Sequence, residues 1–234
     1  VLREREEFEE AESLLRKVLT LWQKQKGEGH PDTLSALNDL AVLLSQTGRL
    51  EEAEGLRRKH LRIAEEKLGP FNPSTLTSVN NLAVLVDKQG KLDEAERLYR
   101  RAFAGKQRTL GISNPDTLLS AGNLAVFLQE RGKLEEAETL YRLVTAAADD
   151  NPEEVVHPYT WLFMAHYANF LREVGRVDEA VNVCTRALGA QQRTFGDDHP
   201  HTKQSVMLLR WIQKAAGSSA HDITTAAAAS AVEQ

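Results

Sequence analysis

Residues 81–99 read Asn-Leu-Ala-Val-Leu-Val-Asp-Lys-Gln-Gly-Lys-Leu-Asp-Glu-Ala-Glu-Arg-Leu-Tyr, and this stretch decides the fold. Residues 123–141 repeat it almost unchanged as Asn-Leu-Ala-Val-Phe-Leu-Gln-Glu-Arg-Gly-Lys-Leu-Glu-Glu-Ala-Glu-Thr-Leu-Tyr, at an offset of 42 residues. Each copy of such a repeat is one supersecondary unit, which buries its apolar face only by stacking on its neighbours. The repeat therefore predicts an array of stacked units that present long surfaces.

Two further marks recur along the chain and place the helices. Proline suits the first turn of a helix, because its missing N–H would have no partner there. Glycine suits the end of a helix, where the chain turns in a left-handed conformation. The proline marks are His30-Pro31, Asn72-Pro73, Asn114-Pro115, His157-Pro158 and His199-Pro200, and the glycine marks are Gly48, Gly90, Gly132 and Gly175. The marks predict four helix pairs, at about 30–69, 72–111, 114–150 and 157–196, each with a helix A followed by a helix B.

Apolar residues recur at steps of three and four in both helices of a pair, which predicts one buried stripe per helix. Small residues recur where two helices would approach most closely, so large side chains there would force the helices apart. These positions are Ala41, Ala83, Ala125 and Ala168 in the A helices, and Ala53, Ala95, Ala137 and Ala180 in the B helices.

These marks resemble the tetratricopeptide repeat, and the 42-residue period with its His-Pro-Asp-Thr opening is similar to the kinesin light chain and nephrocystin-type subgroup. The resemblance covers about residues 1–215. It implies an all-α, right-handed superhelical solenoid of antiparallel helix hairpins in which the A helices line the concave face. The expected organisation is an orphan helix B at 1–26, four repeats with a final capping helix (200–215) over 27–216, and a disordered tail at 217–234.

Composition excludes several classes of function. The formal net charge of −5 gives no electrostatic reason to expect nucleic acid as a partner. No apolar run is long enough to cross a bilayer, so membrane insertion is not expected. Cys184 is the single cysteine, which excludes an internal disulfide and predicts a reducing, cytoplasmic location. No metal, cofactor or catalytic motif is present, and the prolines that follow His30, His157 and His199 indicate capping or turn roles for these histidines.

Polar residues of the A helices are the candidates for a peptide-binding groove. An asparagine carboxamide both donates and accepts hydrogen bonds, so a row of them could hold the backbone of an extended peptide. The alternative is that the asparagines bond to neighbouring helices and hold the stack. The candidate groove residues are Asn38, Asp39, Asn80, Asn81, Lys88, Asn123, His166, Asn169, Arg172, Met207 and Trp211.

The C-terminal end of this candidate groove is apolar, with Leu162, Ala165, Met207 and Trp211. Either these residues form a contact site, or residues 217–234 or further repeats cover them. Basic groove candidates are few, so a largely polar or apolar peptide is expected. The sequence thus predicts a non-catalytic scaffold or adaptor that binds a protein or extended peptide. The alternative function is a sensor or regulatory repeat segment of a larger signalling protein of the nucleotide-switching ATPase type.

Overall fold

The computed structural model describes residues 2–150 and 158–214, and within them the chain is helical without any strand. The helices are α1 (Leu2–Lys26), α2 (Pro31–Gln46), α3 (Leu50–Leu68), α4 (Pro73–Lys88), α5 (Leu92–Leu110), α6 (Pro115–Glu130), α7 (Leu134–Asp150), α8 (Pro158–Glu173), α9 (Val177–Phe195) and α10 (200–214). The expected all-α class of stacked hairpins is confirmed. The expected tail at 217–234 lies outside the described residues.

Within each unit, helices that follow one another in the chain pack together, both inside a repeat and between neighbouring repeats. The pairs α2–α3, α4–α5 and α8–α9 form hairpins, while α1–α2, α3–α4 and α7–α8 join neighbouring repeats. The chain divides into two compact units, Val1–Ser120 and Ala121–Gln234, called here the N-terminal unit and the C-terminal unit.

The helix ends form for the reasons that the sequence marks indicate. The His30 Nδ1 atom accepts a hydrogen bond from the Asp32 N–H, and the His199 Nδ1 atom accepts one from the His201 N–H. These contacts confirm the capping role for both histidines, whereas His157 lies outside the described residues. Gly90 lies just after the C-terminus of α4 and has a φ of +75°, a left-handed conformation that favours glycine.

The recurring alanines lie in the cores of both units. Each of the eight predicted small positions is at most 1% exposed, which confirms that they are packing positions. In the N-terminal unit Leu37, Leu40 and Leu44 of α2 share a core with Leu19 of α1. In the C-terminal unit the Tyr141 ring lies 5.4 Å from the Tyr167 ring, which in turn lies 6.0 Å from the Phe170 ring. None of the described helices is long and apolar enough to cross a membrane.

Candidate functional site

A pocket in the N-terminal unit opens between α2, α3 and α4 and has a volume of about 530 Å³. We call it the polar pocket. Four of its polar lining residues come from two successive A helices: Ser35 and Asn38 from α2, and Thr77 and Asn81 from α4. The structure therefore brings two of the candidate groove residues, Asn38 and Asn81, to one accessible surface.

Helix α3, the helix B that lies between α2 and α4 in the chain, supplies the basic residues of the polar pocket. His60 and Lys67 of α3 line it, together with Leu34, Ala64 and Leu68. Burial lowers the pKa of His60, and the neighbouring charge of Arg57 lowers it further. The pattern of polar residues along the A helices does not predict His60 and Lys67, because both lie on helix B.

Arg57 adds a second cation, which contacts the polar pocket through its lining residue Asn38. Its guanidinium donates a hydrogen bond to Asn38 Oδ1, and Asn38 Nδ2 lies 3.4 Å from Asp39 Oδ1. Burial lowers the pKa of Arg57, and attraction to Asp39 opposes this effect. Asn38 is thus oriented by Arg57, while Asp39 is exposed beside it.

The other two candidates of this unit lie elsewhere on α4. Asn80 is only 5% exposed, so its side chain is inside the helix stack rather than on an open surface. Successive residues of an α-helix lie about 100° apart around its axis, which is why Asn80 turns inward where Asn81 reaches the pocket. Lys88 is exposed in the last turn of α4.

In the C-terminal unit a chain of polar contacts links three A helices. Gln129 Nε2 of α6 donates to Glu173 Oε2 of α8 at 2.9 Å, and Asn169 Nδ2 donates to Glu173 Oε1 at 2.9 Å. Arg172 donates to Asn169 Oδ1 at 3.3 Å and stacks on the Trp211 ring of α10, 3.8 Å from its centroid. The candidates Asn169, Arg172 and Trp211 are therefore in one connected cluster.

A difference between repeats at one position of helix B explains why Arg172 can join this cluster. In the two preceding repeats a tyrosine hydroxyl binds the equivalent helix-A residue: Tyr99 donates to Asp87 at 3.3 Å, and Tyr141 to Gln129 at 2.7 Å. The fourth repeat has Cys184 at the tyrosine position, so Arg172 has no tyrosine hydroxyl to meet it. Burial raises the pKa of the Cys184 thiol to about 11, so it is a poor nucleophile.

A second pocket, of about 270 Å³, opens between α8, α9 and α10. We call it the apolar pocket, since Trp161, Leu162, Ala165, Phe195 and Leu208 line much of it. The two pockets are equivalent within the repeat: Leu162 and Ala165 occupy the places of Ser35 and Asn38, and Leu208 that of Asn81. The same architectural recess is therefore polar in one unit and mostly apolar in the other.

The remaining candidates lie on helix A surfaces of the C-terminal unit. Met207 is 62% and Trp211 49% exposed, so an apolar surface is open among the described residues. His166 is exposed, and desolvation by the surrounding protein lowers its pKa. Asn123 is half-buried and already has an interaction partner.

Stacked A/B hairpins with polar and apolar recesses on their surfaces define the class of helical-repeat proteins. Two tetratricopeptide repeat family models match the chain, one over residues 1–66, 38–108 and 88–150 and the other over 164–201. The chain belongs to the tetratricopeptide repeat family.

Solved structures place it near the kinesin light chain-like members of that family. Kinesin-light-chain-type, nearly identical TPR-like repeats from Podosopora anserina match with 28% identity and a TM-score of 0.67, covering 81% of this chain and 89% of that one. BtubC (BKLC) from P. vanneervenii matches with 22% identity and a TM-score of 0.75, covering 90% and 84%. The second likeness shows the fold alone. No curated protein sequence matches the chain.

Proposed function

We propose that this chain is a non-catalytic, cytoplasmic adaptor that binds an extended segment of a partner protein along its A helices. Tetratricopeptide repeats generally mediate protein–protein interaction, and this family is generally non-catalytic. The observation that carries the proposal is the polar pocket, where Asn38 and Asn81 of successive A helices line one open recess. Carboxamides so placed could pair with both the N–H and the C=O groups of an extended peptide.

The C-terminal unit supports the same proposal with different chemistry. Trp211 and Met207 are large exposed side chains, and such side chains cluster at the centres of binding surfaces. Arg172 stacks on Trp211 and holds the indole in a defined orientation, which reduces the conformational entropy that binding would remove. The N-terminal unit thus offers polar groups to a partner segment, and the C-terminal unit offers apolar groups.

The test is peptide binding by variants whose fold is intact. Partners captured by the full chain are mapped to a minimal segment, which is then labelled and titrated by fluorescence anisotropy. Asn38→Ala with Asn81→Ala removes the proposed backbone contacts and should weaken binding at least tenfold. Trp211→Ala should do the same for segments that reach the C-terminal unit.

Asn182→Ala is the matched control, since Asn182 is an exposed asparagine on α9, a helix B. It should bind like the parent protein. Circular dichroism and the melting temperature of each variant separate binding from folding. Binding that falls only in proportion to lost helix content would contradict the proposal and favour the stack-holding role.

A further inference from the structure

The polar pocket has the composition of an anion site. Its lining residues include His60 and Lys67 but no Asp or Glu. The chain as a whole carries a formal charge of −5, so a recess with only basic ionisable groups departs from the average of the molecule. Hydroxyl and amide groups of Ser35, Ser74 and Asn81 complete a set of hydrogen-bond donors around it.

Unlike Arg58 and Lys59 on the same helix, Lys67 has no acidic partner among the described residues. Lys59 pairs with Glu28 at 2.5 Å, and Arg58 pairs with Glu54 at 2.7 Å. The stem of Lys67 packs against Gly29, where an added Cβ would lie 3.1 Å from Lys67 Cε. This packing holds the side chain at the pocket while its ammonium group keeps three N–H donors.

Arg57 increases the positive potential of the polar pocket from behind. It is half-buried, and its known hydrogen bond goes to the neutral Asn38 rather than to a carboxylate. Asp39 attracts Arg57 but does not line the pocket. A charge in a partly desolvated position acts over a longer range than an exposed one, because the surrounding protein screens it less than water does.

One position of helix B sets the depth of this recess. Ala64 forms part of the pocket in the N-terminal unit, and two of its repeat equivalents are the longer residues Lys106 and Gln191. Lys106 is 1% exposed and lies within the stack with its Nζ 3.4 Å from the Asp116 carbonyl oxygen. Gln191 is 4% exposed and lines the smaller apolar pocket. The methyl group of Ala64 therefore leaves open a volume that longer side chains occupy in the second and fourth repeats.

We propose that the polar pocket binds a phosphate monoester carried by a side chain of the partner, with Lys67 and Arg57 providing the charge, His60 providing a hydrogen-bond donor and Ala64 providing the depth. The inference rests on the proposed function and specifies the chemistry of one of its subsites. A phosphate carries a charge of about −1.5 to −2 and three acceptor oxygens, which suits several cations and hydroxyl donors better than a carboxylate does.

The test uses small probes and nuclear magnetic resonance of the full chain. The probes are N-acetyl-phosphoserine N-methylamide, N-acetyl-aspartate N-methylamide and inorganic phosphate. The side-chain amide signals of Asn38 and Asn81 report on the pocket. We expect the phosphoserine probe to bind there with a dissociation constant at least fivefold lower than the constants of the other two probes.

Two variants and two controls assign the binding to the named groups. Lys67→Gln should weaken phosphoserine binding at least fivefold, and Ala64→Gln should weaken it too by placing a longer side chain in the recess, as Gln191 does in the smaller apolar pocket. Lys17→Gln, at an exposed lysine of α1, and Gln191→Ala should leave it unchanged. If Ala64→Gln fails to fold, Lys67→Gln still decides the question.

The outcomes separate this inference from the proposed function. Equal binding of aspartate and phosphoserine probes, or unchanged binding by Lys67→Gln, overturns the phosphate assignment while peptide binding by anisotropy can still succeed. If inorganic phosphate binds as tightly as the phosphoserine probe, the pocket is a site for free phosphate, and the assignment to a phosphorylated partner is overturned. Phosphoserine binding at the pocket, lost with Lys67→Gln, supports the inference even if the peptide titration of Asn38→Ala with Asn81→Ala shows no effect.

Discussion

At the scale of single residues, Gly122 of α6 shows how closely a backbone and a ring can meet in this fold. A Cβ atom added at Gly122 would lie 2.3 Å from Cδ2 of Phe163, well inside van der Waals contact. Phe163 is 4% exposed and therefore has little room to move away. The absence of a side chain at Gly122 is what lets the ring of α8 pack on α6.

Gly122→Ala should therefore lower the free energy of unfolding, by about 1–3 kcal/mol through overpacking. Gly55→Ala is the matched control, because Gly55 also lies inside a helix but has no atom within 4 Å of an added Cβ. It should raise stability by about 0.4–1 kcal/mol, since alanine reduces the conformational entropy of the unfolded chain. Urea unfolding followed by circular dichroism measures both, and a stabilising Gly122→Ala would contradict the packing argument.

The position of Tyr99 and Tyr141 shows what the sequence could and could not predict about single residues. The repeat register places Arg57 and Cys184 at the same position, and the sequence alone identifies them as departures. It does not reveal that Arg57 turns to Asn38, since that depends on which acceptor lies within reach of a flexible side chain. The basic residues of the polar pocket were not predicted either, because His60 and Lys67 lie on helix B and the groove was expected on the A helices.

At the scale of helices, ion pairs join successive B helices in a repeated arrangement. Each quartet has a Glu and an Arg four residues apart on one helix B, a basic residue just before the next helix B, and a Glu in its first turn. The described quartets are Glu12, Arg16, Arg49 and Glu52; Glu54, Arg58, Lys91 and Glu94; and Glu138, Arg142, Arg176 and Glu179. Networks of this kind stabilise more than isolated surface pairs do.

Glu54 is the most strongly perturbed acid of these quartets. Burial raises its pKa, but hydrogen bonds from Lys91 and Arg58 outweigh burial and lower the pKa from 4.5 to about 2. A carboxyl whose pKa is lower in the folded state stabilises the fold above its unfolded pKa, and this contribution is lost as the pH falls. The stabilising contribution of Glu54 should therefore be lost between about pH 5 and pH 2.

Glu54→Gln should therefore cost about 1–2 kcal/mol of unfolding free energy at pH 7 and much less at pH 2. Glu51→Gln, at an exposed acid in the first turn of the same helix, should have a small effect at both values. Urea unfolding at the two pH values measures the difference. An equal cost of Glu54→Gln at pH 7 and pH 2 would show that the ion pairs do not carry the effect.

The helices themselves were the most predictable feature of this molecule. Proline and glycine act locally, so Pro73 and Gly90 mark the ends of α4 without reference to the rest of the fold. The candidate site depended instead on rotation about a helix axis. Asn80 and Asn81 look equivalent in composition, yet one is 5% exposed and the other lines a pocket.

At the scale of the whole molecule, the repeat architecture limits how far a local change in stability extends. Each repeat of such an array contacts mainly its neighbours, so stability is approximately a sum of repeat and interface contributions. Cys184 is a convenient reporter for α9, because it is the only thiol of the chain and is fully buried. Thiol reagents reach it only when the surrounding structure opens.

Leu76→Ala in α4 should destabilise the N-terminal unit by about 2–5 kcal/mol, because Leu76 is fully buried and leaves a cavity. If the repeats are coupled only locally, Leu76→Ala should have a small effect on the opening of α9. The rate of Cys184 labelling should then rise by less than the factor calculated from the loss of unfolding free energy in Leu76→Ala. Val183→Ala, next to Cys184 in α9, should accelerate labelling by the full factor of its own destabilisation. Labelling rates in native buffer, compared with urea unfolding of the same variants, measure both. Full acceleration by Leu76→Ala would mean that the chain opens as one cooperative body, and that the polar and apolar pockets are thermodynamically coupled.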